Sequence, residues 1–128
     1  MKFREVKLKS GNRIFLGRNA ENNDELMKKF KGKENVILHT ESPGSPFCVI
    51  ERLNPGREEI KASGAVCARY SQDWRDNKKD VKVNVFTGKD VRKPWFAKKG
   101  TWNVRKVKGK GRTIKVKKAE IKKFEKEK

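Results

Sequence analysis

Residues 81–87 read Val-Lys-Val-Asn-Val-Phe-Thr, with valine at every second position of the first five. Because successive side chains of a strand point to opposite faces of a sheet, Val81, Val83 and Val85 would share one buried face. The run therefore predicts a half-buried strand, which the turn residues Gly88-Lys89-Asp90 would end. A period of two places a sheet at the centre of the fold.

The segment before this strand predicts the longest helix of the chain. Asn54 would be its N-cap and Pro55 its first residue, with two glutamates in the first turns, and the pattern runs to about Trp74. Gly64 lowers helix propensity in the middle of this segment. The glycine is therefore best explained by close packing of the helix backbone on the sheet.

Other apolar stretches with turn residues between them predict the remaining strands. Ser10-Gly11-Asn12 supplies the turn of a first hairpin, and Gly109-Lys110-Gly111 the turn of a last one. A short helix would begin after a cap at Asn22 or Asn23 and end near Phe30. The predicted strands cover residues 2–9, 13–17, 35–39, 47–51, 101–107 and 112–118.

The predicted order of elements is ββαββαβββ, an α+β fold. We expect a largely antiparallel sheet with the helices packed mainly on one face. One domain would cover residues 1–118, and residues 119–128 would form a basic C-terminal tail, either a short amphipathic helix or a frayed end.

Length and composition exclude several classes of protein. The 128 residues contain no apolar run that approaches a membrane span, and residues 2–9 are too charged for a signal peptide. Two cysteines, Cys48 and Cys67, are too few for a disulfide scaffold and are expected to be buried free thiols. These features indicate a cytoplasmic protein without a membrane partner.

The charge is strongly positive and unevenly distributed. The formal net charge is +19, and residues 98–128 hold 14 basic and 3 acidic residues, a net of +11. Between Lys98 and Lys118 the cations interleave with apolar residues, which is typical of strands with one buried and one cationic face. A polyanion is therefore the expected partner.

The residues that could carry out catalysis form no recognisable constellation, because the acidic residues are dispersed along the chain. One histidine and two distant cysteines give no metal-ligand pair, and no phosphate-binding loop of the Walker type is present, so no cofactor or small-molecule substrate is expected. The protein is predicted not to be an enzyme. The alternative is a small nuclease or RNA-modifying enzyme that uses His39 as acid or base, and a general nucleic-acid chaperone is a third possibility.

Two polar clusters follow strands in the first half of the chain. Arg18 and Asn19, with Asn22 and Asn23, precede a helix and would suit an anion or a base edge, unless the asparagines only cap and turn. His39 lies at a strand end before the loop 43–45, whose backbone N–H groups could cradle a phosphate.

Two further clusters follow in the second half. Arg69 and Arg75 flank Tyr70, Ser71 and Trp74 at the end of the long helix, and the arginines are free to reach solvent. Residues 91–100 place four cations around Trp95 and Phe96, which is typical of a surface for single-stranded nucleic acid. The two aromatic residues could instead cover the edge of the sheet.

Taken in order, the runs GRNAENND (17–24), LHTESPGS (38–45), ARYS (68–71) and VRKPWFAKKGTW (91–102) resemble the NFACT-R domain. This is the RNA-binding module of ribosome quality-control proteins. The resemblance spans about residues 2–116 and implies a stand-alone form, of a kind seen in archaea. It departs from the family at Pro46, where a histidine usually follows Gly-Ser, and at residues 36–38, where the family often has a tryptophan.

The resemblance implies that the partner is ribosomal RNA or tRNA, with the large ribosomal subunit as a further candidate partner. Tail synthesis, which the multidomain relatives carry out through another domain, is not implied. From the clusters and the resemblance together, the residues predicted to bind RNA are Arg18, Asn19, Asn23, His39, Gly44, Ser45, Arg69, Ser71, Arg92, Lys93, Trp95, Lys98, Lys99, Arg105, Lys108, Lys110 and Arg112.

Overall fold

A computed structural model describes residues 2–92, 102–104 and 112–127. Its strands are β1 (Arg4–Lys7), β2 (Arg13–Leu16), β3 (Val36–Thr40), β4 (Cys48–Ile50), β5 (Val81–Thr87), β6 (Val91–Arg92), β7 (Asn103–Val104) and β8 (Arg112–Val116). Its helices are α1 (Ala20–Phe30), α2 (Arg57–Arg69), α3 (Gln72–Asn77) and α4 (Lys118–Glu127). A single 3₁₀ turn covers Gly88–Asp90 in this part of the chain.

The described residues form a six-stranded sheet in the order β1-β2-β4-β3-β5-β8, and every neighbouring pair in it is antiparallel. One face packs against α2, α3 and α4, and we call it the α2 face. The opposite face packs against α1 and is called the α1 face. The predicted α+β fold, with a largely antiparallel sheet and most helices on one face, is confirmed.

The strand predicted from alternating valines occupies residues Val81–Thr87, and its valines are buried on the α2 face. It pairs with β3 on one side and β8 on the other. Close packing explains Gly64, because a Cβ atom there would lie 3.0 Å from Ile114 Cδ1 and 3.2 Å from Val116 Cγ2. The helix thus approaches β8 at the position that lacks a side chain.

The predicted long helix is wrong at both ends. Asn54 has a left-handed φ of 53°, and Gly56 is the N-cap of α2, with its N–H 3.4 Å from Glu59 Oε1. At the other end α2 stops at Arg69, because the Ser71 hydroxyl accepts the Trp74 N–H at 3.2 Å and so starts a new helix, α3. A serine placed in this way competes with continuation of the helix.

The first helix begins earlier than predicted. Asn19, not Asn22 or Asn23, is the N-cap of α1, since its Oδ1 accepts the Asn22 N–H at 2.8 Å. Three asparagines lie close together here, and the sequence alone does not show which of them caps the helix. The end of the preceding strand determines that it is Asn19.

The turn of the predicted last hairpin, Gly109-Lys110-Gly111, and residues 105–107 lie outside the described residues. β7 pairs with β6 in a separate two-stranded ladder, whereas β8 joins the edge of the main sheet beside β5. The segment after β8 is the helix α4, the first of the two alternatives for the C-terminal residues. The Asp80 carboxylate accepts the Lys118 N–H at 2.8 Å, and Ile121 is fully buried against the core.

Both cysteines are buried free thiols, as predicted. Burial raises the pKa of the Cys48 thiol well above its usual range. No helix in the described ranges is long and apolar enough to cross a membrane.

We predict that Gly64→Val lowers the free energy of unfolding by about 1–3 kcal/mol, because the added methyl groups must displace Ile114 and Val116. Ala62→Val, at an exposed position of the same helix, is the matched control and should cost about 0.5 kcal/mol from helix propensity alone. Urea unfolding of both variants measures the difference, and equal losses would contradict the close packing.

Candidate nucleic-acid interface

The first polar cluster is bonded directly to the start of β4. The Gly17 N–H donates to the Phe47 carbonyl at 3.2 Å, and the Phe47 N–H donates to Asn23 Oδ1 at 3.1 Å. A Cβ atom on residue 17 would lie 1.8 Å from Asn23 Oδ1, so only glycine allows this approach. Asn23 is buried, and its side-chain oxygen connects α1 to the backbone of Phe47, the residue before β4.

The rest of this cluster forms the turn into α1. The Arg18 N–H donates to Asn22 Oδ1 at 2.9 Å, and Asn19 caps the helix as described above. These bonds use backbone groups and amide oxygens, and Arg18 and Asn19 remain exposed. The exposed pair therefore stands beside the N-terminus of α1, which favours anions.

The second cluster forms a loop that is held at both ends. The Ser45 hydroxyl accepts the Thr40 N–H at 3.1 Å and donates to the Pro46 carbonyl at 3.1 Å. Gly44, with a φ of 90°, accepts the Gln72 N–H on its carbonyl at 2.8 Å. The second cluster is thereby joined to the third, at the first residue of α3.

Of the two arginines of the third cluster, Arg75 is exposed as predicted, whereas the prediction that Arg69 is free to reach solvent is wrong. Ser71 is buried as the N-cap of α3, and the Arg69 Nε atom lies 2.7 Å from a Glu125 carboxylate oxygen on α4. Arg69 and Arg4 also lie over the ring of Tyr70, at 5.3 and 4.5 Å from its centroid. These arginines are engaged on the α2 side of the molecule.

Most of the fourth cluster and the segment after β7 lie outside the described residues. Arg92 ends β6, and Arg112 is exposed at the start of β8. Val91 and Trp102, on either side of the gap, belong to the core of the α1 face, and the Trp102 indole N–H donates to an Asp24 carboxylate oxygen at 2.9 Å. The predicted RNA-binding residues without a described position are Lys93, Trp95, Lys98, Lys99, Arg105, Lys108 and Lys110.

Beside these contacts the α1 face carries a row of polar side chains on β3, β5 and β8, which we call the polar strip. His39 pairs across strands with Asn84, and Asn84 pairs with Thr113, whose hydroxyl donates to Asn84 Oδ1 at 2.8 Å. Lys82 pairs with Lys115 in the next position on the same face. The lysines and Thr113 are exposed, and His39 and Asn84 are half-buried.

His39 is held at the inner end of this strip. Its ring centroid lies 4.5 Å from that of Phe47, the residue that the first cluster fixes. Burial lowers the pKa of His39 below its ordinary value of 6.5, against a smaller opposing effect of the Thr40 backbone. The imidazole is therefore neutral at pH 7 and can stack on a base or exchange hydrogen bonds with it, but adds no charge.

The sequence analysis did not single out Lys82, Asn84, Thr113 or Lys115 as site residues. Polar and apolar residues alternate in 81–87 and 112–116. The apolar residues predicted the buried face, and the polar residues between them could have predicted the polar strip on the opposite face. The prediction of a strand with one buried and one cationic face is confirmed for β8, where Ile114 and Val116 face inward.

The family model of the NFACT protein RNA-binding domain matches residues 4–101, which confirms the resemblance inferred from the polar clusters. Among solved structures, the C-terminal part of the fibronectin/fibrinogen-binding protein from Streptococcus suis is similar, with a TM-score of 0.80 and 25% identity. The match covers 96% of this chain and 49% of that chain, so this chain spans about half the length of the solved one. No curated protein matches it.

We predict that Asn23→Ala lowers the free energy of unfolding by about 1–3 kcal/mol, because the buried Phe47 N–H loses its acceptor. Asn77→Ala, which removes an exposed bond to Asp73 at the end of α3, is the control and should change stability by about 0.5 kcal/mol or less. Chemical unfolding compares them, and a stable Asn23→Ala protein would contradict the role given to this amide.

The lowered pKa of His39 predicts a pH dependence of stability. The unfolded chain takes up the proton first, so the contribution of His39 is complete above its ordinary pKa of 6.5 and is lost progressively in the pH range below that value. Unfolding free energies across this range should fall in the wild type and stay nearly level in His39→Gln. Stability that rises on acidification would contradict the assignment.

Proposed function

Because the chain belongs to the NFACT protein RNA-binding domain family, we propose that it binds ribosomal RNA or tRNA through the α1 face of its sheet. The contact would include the polar strip, with Arg18 and Asn19 at the start of α1 and the Gly44-Ser45 loop beside it. We further propose that the protein acts in the cytoplasm, in translation or ribosome-associated quality control. The large ribosomal subunit would be its partner.

The observation that carries this proposal is the composition of the polar strip. Lys82 and Lys115 attract phosphates, and Asn84, Thr113 and His39 between them supply amide, hydroxyl and imidazole groups. Phosphate contacts hold an RNA in position, whereas groups of the second kind can bond to base edges and to the 2′-hydroxyl. Both kinds therefore stand on one accessible surface.

The α2 side of the molecule is less suited to RNA. The Lys61 ammonium lies 3.1 Å from a Glu120 carboxylate oxygen, and Arg69 is paired with Glu125. The carboxylates beside these cations lower the local positive potential and repel a phosphate. On the polar strip Lys82 and Lys115 are both exposed, and Lys115 lies 3.7 Å from an Asp80 oxygen at the strand end.

The remaining residues predicted to bind RNA stay part of the proposal. In the sequence, Lys93, Trp95 and their neighbours lie between Val91 and Trp102, and these two flanking residues pack on the α1 face. Asn23 and Ser71 would act by holding the backbone, since both are buried and hydrogen-bonded. Arg69 would have to leave Glu125 to reach an RNA.

We predict that the double variant Lys82→Gln, Lys115→Gln binds RNA more weakly than the wild type at ~0.1 M salt. The affinity should fall by about five- to tenfold for each of the two lysines that contacts a phosphate. The slope of log affinity against log salt should become shallower by about 0.7 per contact. Lys122→Gln with Lys126→Gln, at exposed positions of α4, removes the same charge from the α2 side and is the control. Equal losses in the two variants would show that only net charge matters.

Titration of labelled tRNA and of large-subunit RNA at several ionic strengths tests the function itself. Affinity that does not fall with salt would contradict it. Competition with duplex DNA of matched length separates an RNA-binding protein from a general nucleic-acid chaperone. Gel analysis of the RNA after incubation, with and without Mg²⁺ and with His39→Ala, tests the nuclease alternative.

A further inference from the structure

A second group of cations lies at the other end of α1. Residues 28–33 read Lys-Lys-Phe-Lys-Gly-Lys, and all four lysines are exposed. Lys89 is exposed beside them, with its ammonium 2.9 Å from a Glu34 carboxylate oxygen. We call Lys28, Lys29, Lys31, Lys33 and Lys89 the α1 lysine patch. It is positive overall even when Glu25 and Glu34 are counted with it.

Stabilisation of the helix accounts for only part of this patch. Lys28 and Lys29 stand in the last turn of α1, where cations interact favourably with the helix dipole. Lys31 is the C-cap and Lys33 lies two residues further on, so neither belongs to the last turn, where the interaction with the helix dipole is strongest. The helix alone therefore does not require the second pair.

The backbone under the patch is fixed by hydrogen bonds. The Lys31 N–H donates to the Met27 carbonyl at 2.7 Å and the Lys33 N–H to the Phe30 carbonyl at 3.0 Å. Gly32, with a φ of 82°, donates its N–H to the Gly88 carbonyl at 2.8 Å. The lysines thus project from a rigid turn rather than from a loose end.

Aromatic rings hold two of these ammonium groups near the sheet. Lys29 Nζ lies 5.9 Å from the ring centroids of both Phe3 and Phe15 and 5.7 Å from that of Phe30. Lys33 Nζ lies 5.5 Å from the Phe30 centroid. Such contacts are worth about 0.5–1 kcal/mol at exposed sites and reduce the freedom that the side chain would lose on binding an anion.

The patch and the polar motifs stand at opposite ends of one helix on one face. The 11 residues of α1 extend for about 16 Å, from the cap at Asn19 to the patch. A chain of phosphates that contacts Arg18 and the polar strip could follow α1 to reach the lysines. The ion pairs that α4 makes with Lys61 and Arg69 lie on the other side of the sheet, whereas Arg13, paired with Glu5 and Glu51, lies on the α1 face on strand β2.

We propose that the α1 lysine patch is a second phosphate-binding surface for the same RNA. This proposal rests on the proposed function. The RNA then spans the length of α1, and the patch contributes affinity without regard to base sequence, because ammonium groups contact phosphates as point charges. An RNA too short to reach the patch binds through the polar strip alone.

The test compares the wild type with the triple variant Lys29→Gln, Lys31→Gln, Lys33→Gln on single-stranded RNAs from about 4 to about 16 nucleotides, the range of site sizes of small RNA-binding folds. Glutamine keeps helix propensity, and thermal unfolding checks that the variant is folded. For the longest RNA we expect a loss of at least about fivefold at ~0.1 M salt, which corresponds to one phosphate contact, and a shallower salt slope. The shortest RNA should bind both proteins alike.

The control is Lys122→Gln, Lys123→Gln, Lys126→Gln, which removes the same charge from exposed positions of α4. Three results would overturn the second surface and leave the proposed function standing. They are a loss that is the same for short and long RNAs, a loss that is the same in the control, and a loss smaller than about fivefold. If the wild type binds no RNA of any length, both proposals fall together.

Discussion

Both polar atoms of the Phe47 main chain are bonded by the first polar cluster, and the candidate interface depends on this contact. The carbonyl accepts the Gly17 N–H, and the N–H donates to the buried Asn23 amide. An unpaired N–H at this depth would cost about 1–3 kcal/mol, so α1 and β4 are held in one relative position. The same residue supports His39 with its ring, and so the strand pairing, the helix and the polar strip share one anchor.

The distribution of charge follows from the two faces of the sheet. Most of the helical layer lies on the α2 face, where carboxylates of α4 pair with Lys9, Lys61 and Arg69. The polar strip and the α1 lysine patch stand on the α1 face, which also carries the ion pairs of Arg13 with Glu5 and Glu51. The polar strip that is proposed to contact RNA thus lies on the face opposite α2, α3 and α4.

Sequence patterns succeeded where the physical cause is local. The alternation of residues 81–87 predicted β5 to the residue, and the cost of Gly64 in a helix correctly indicated close packing. Sequence patterns failed where one segment is compatible with two local conformations. Ser71 could continue the long helix or cap a new one, and the fold selects the cap because Gln72 also bonds to Gly44 in another loop. The pairing of β7 with β6 was missed for the same reason, since apolar patterning predicts strands but not their partners.

The sequence by itself determined the α+β class, the positive charge, the burial of both cysteines and the family, because these follow from composition, short-range periodicity and local motifs. Only the tertiary structure decided that the polar clusters meet. Asn23 reaches Phe47 across 24 residues and Asp24 reaches Trp102 across 78. The polar strip likewise exists only through the register of β3, β5 and β8. Such contacts depend on which distant backbone groups satisfy each other on folding, and no window of the sequence contains both partners.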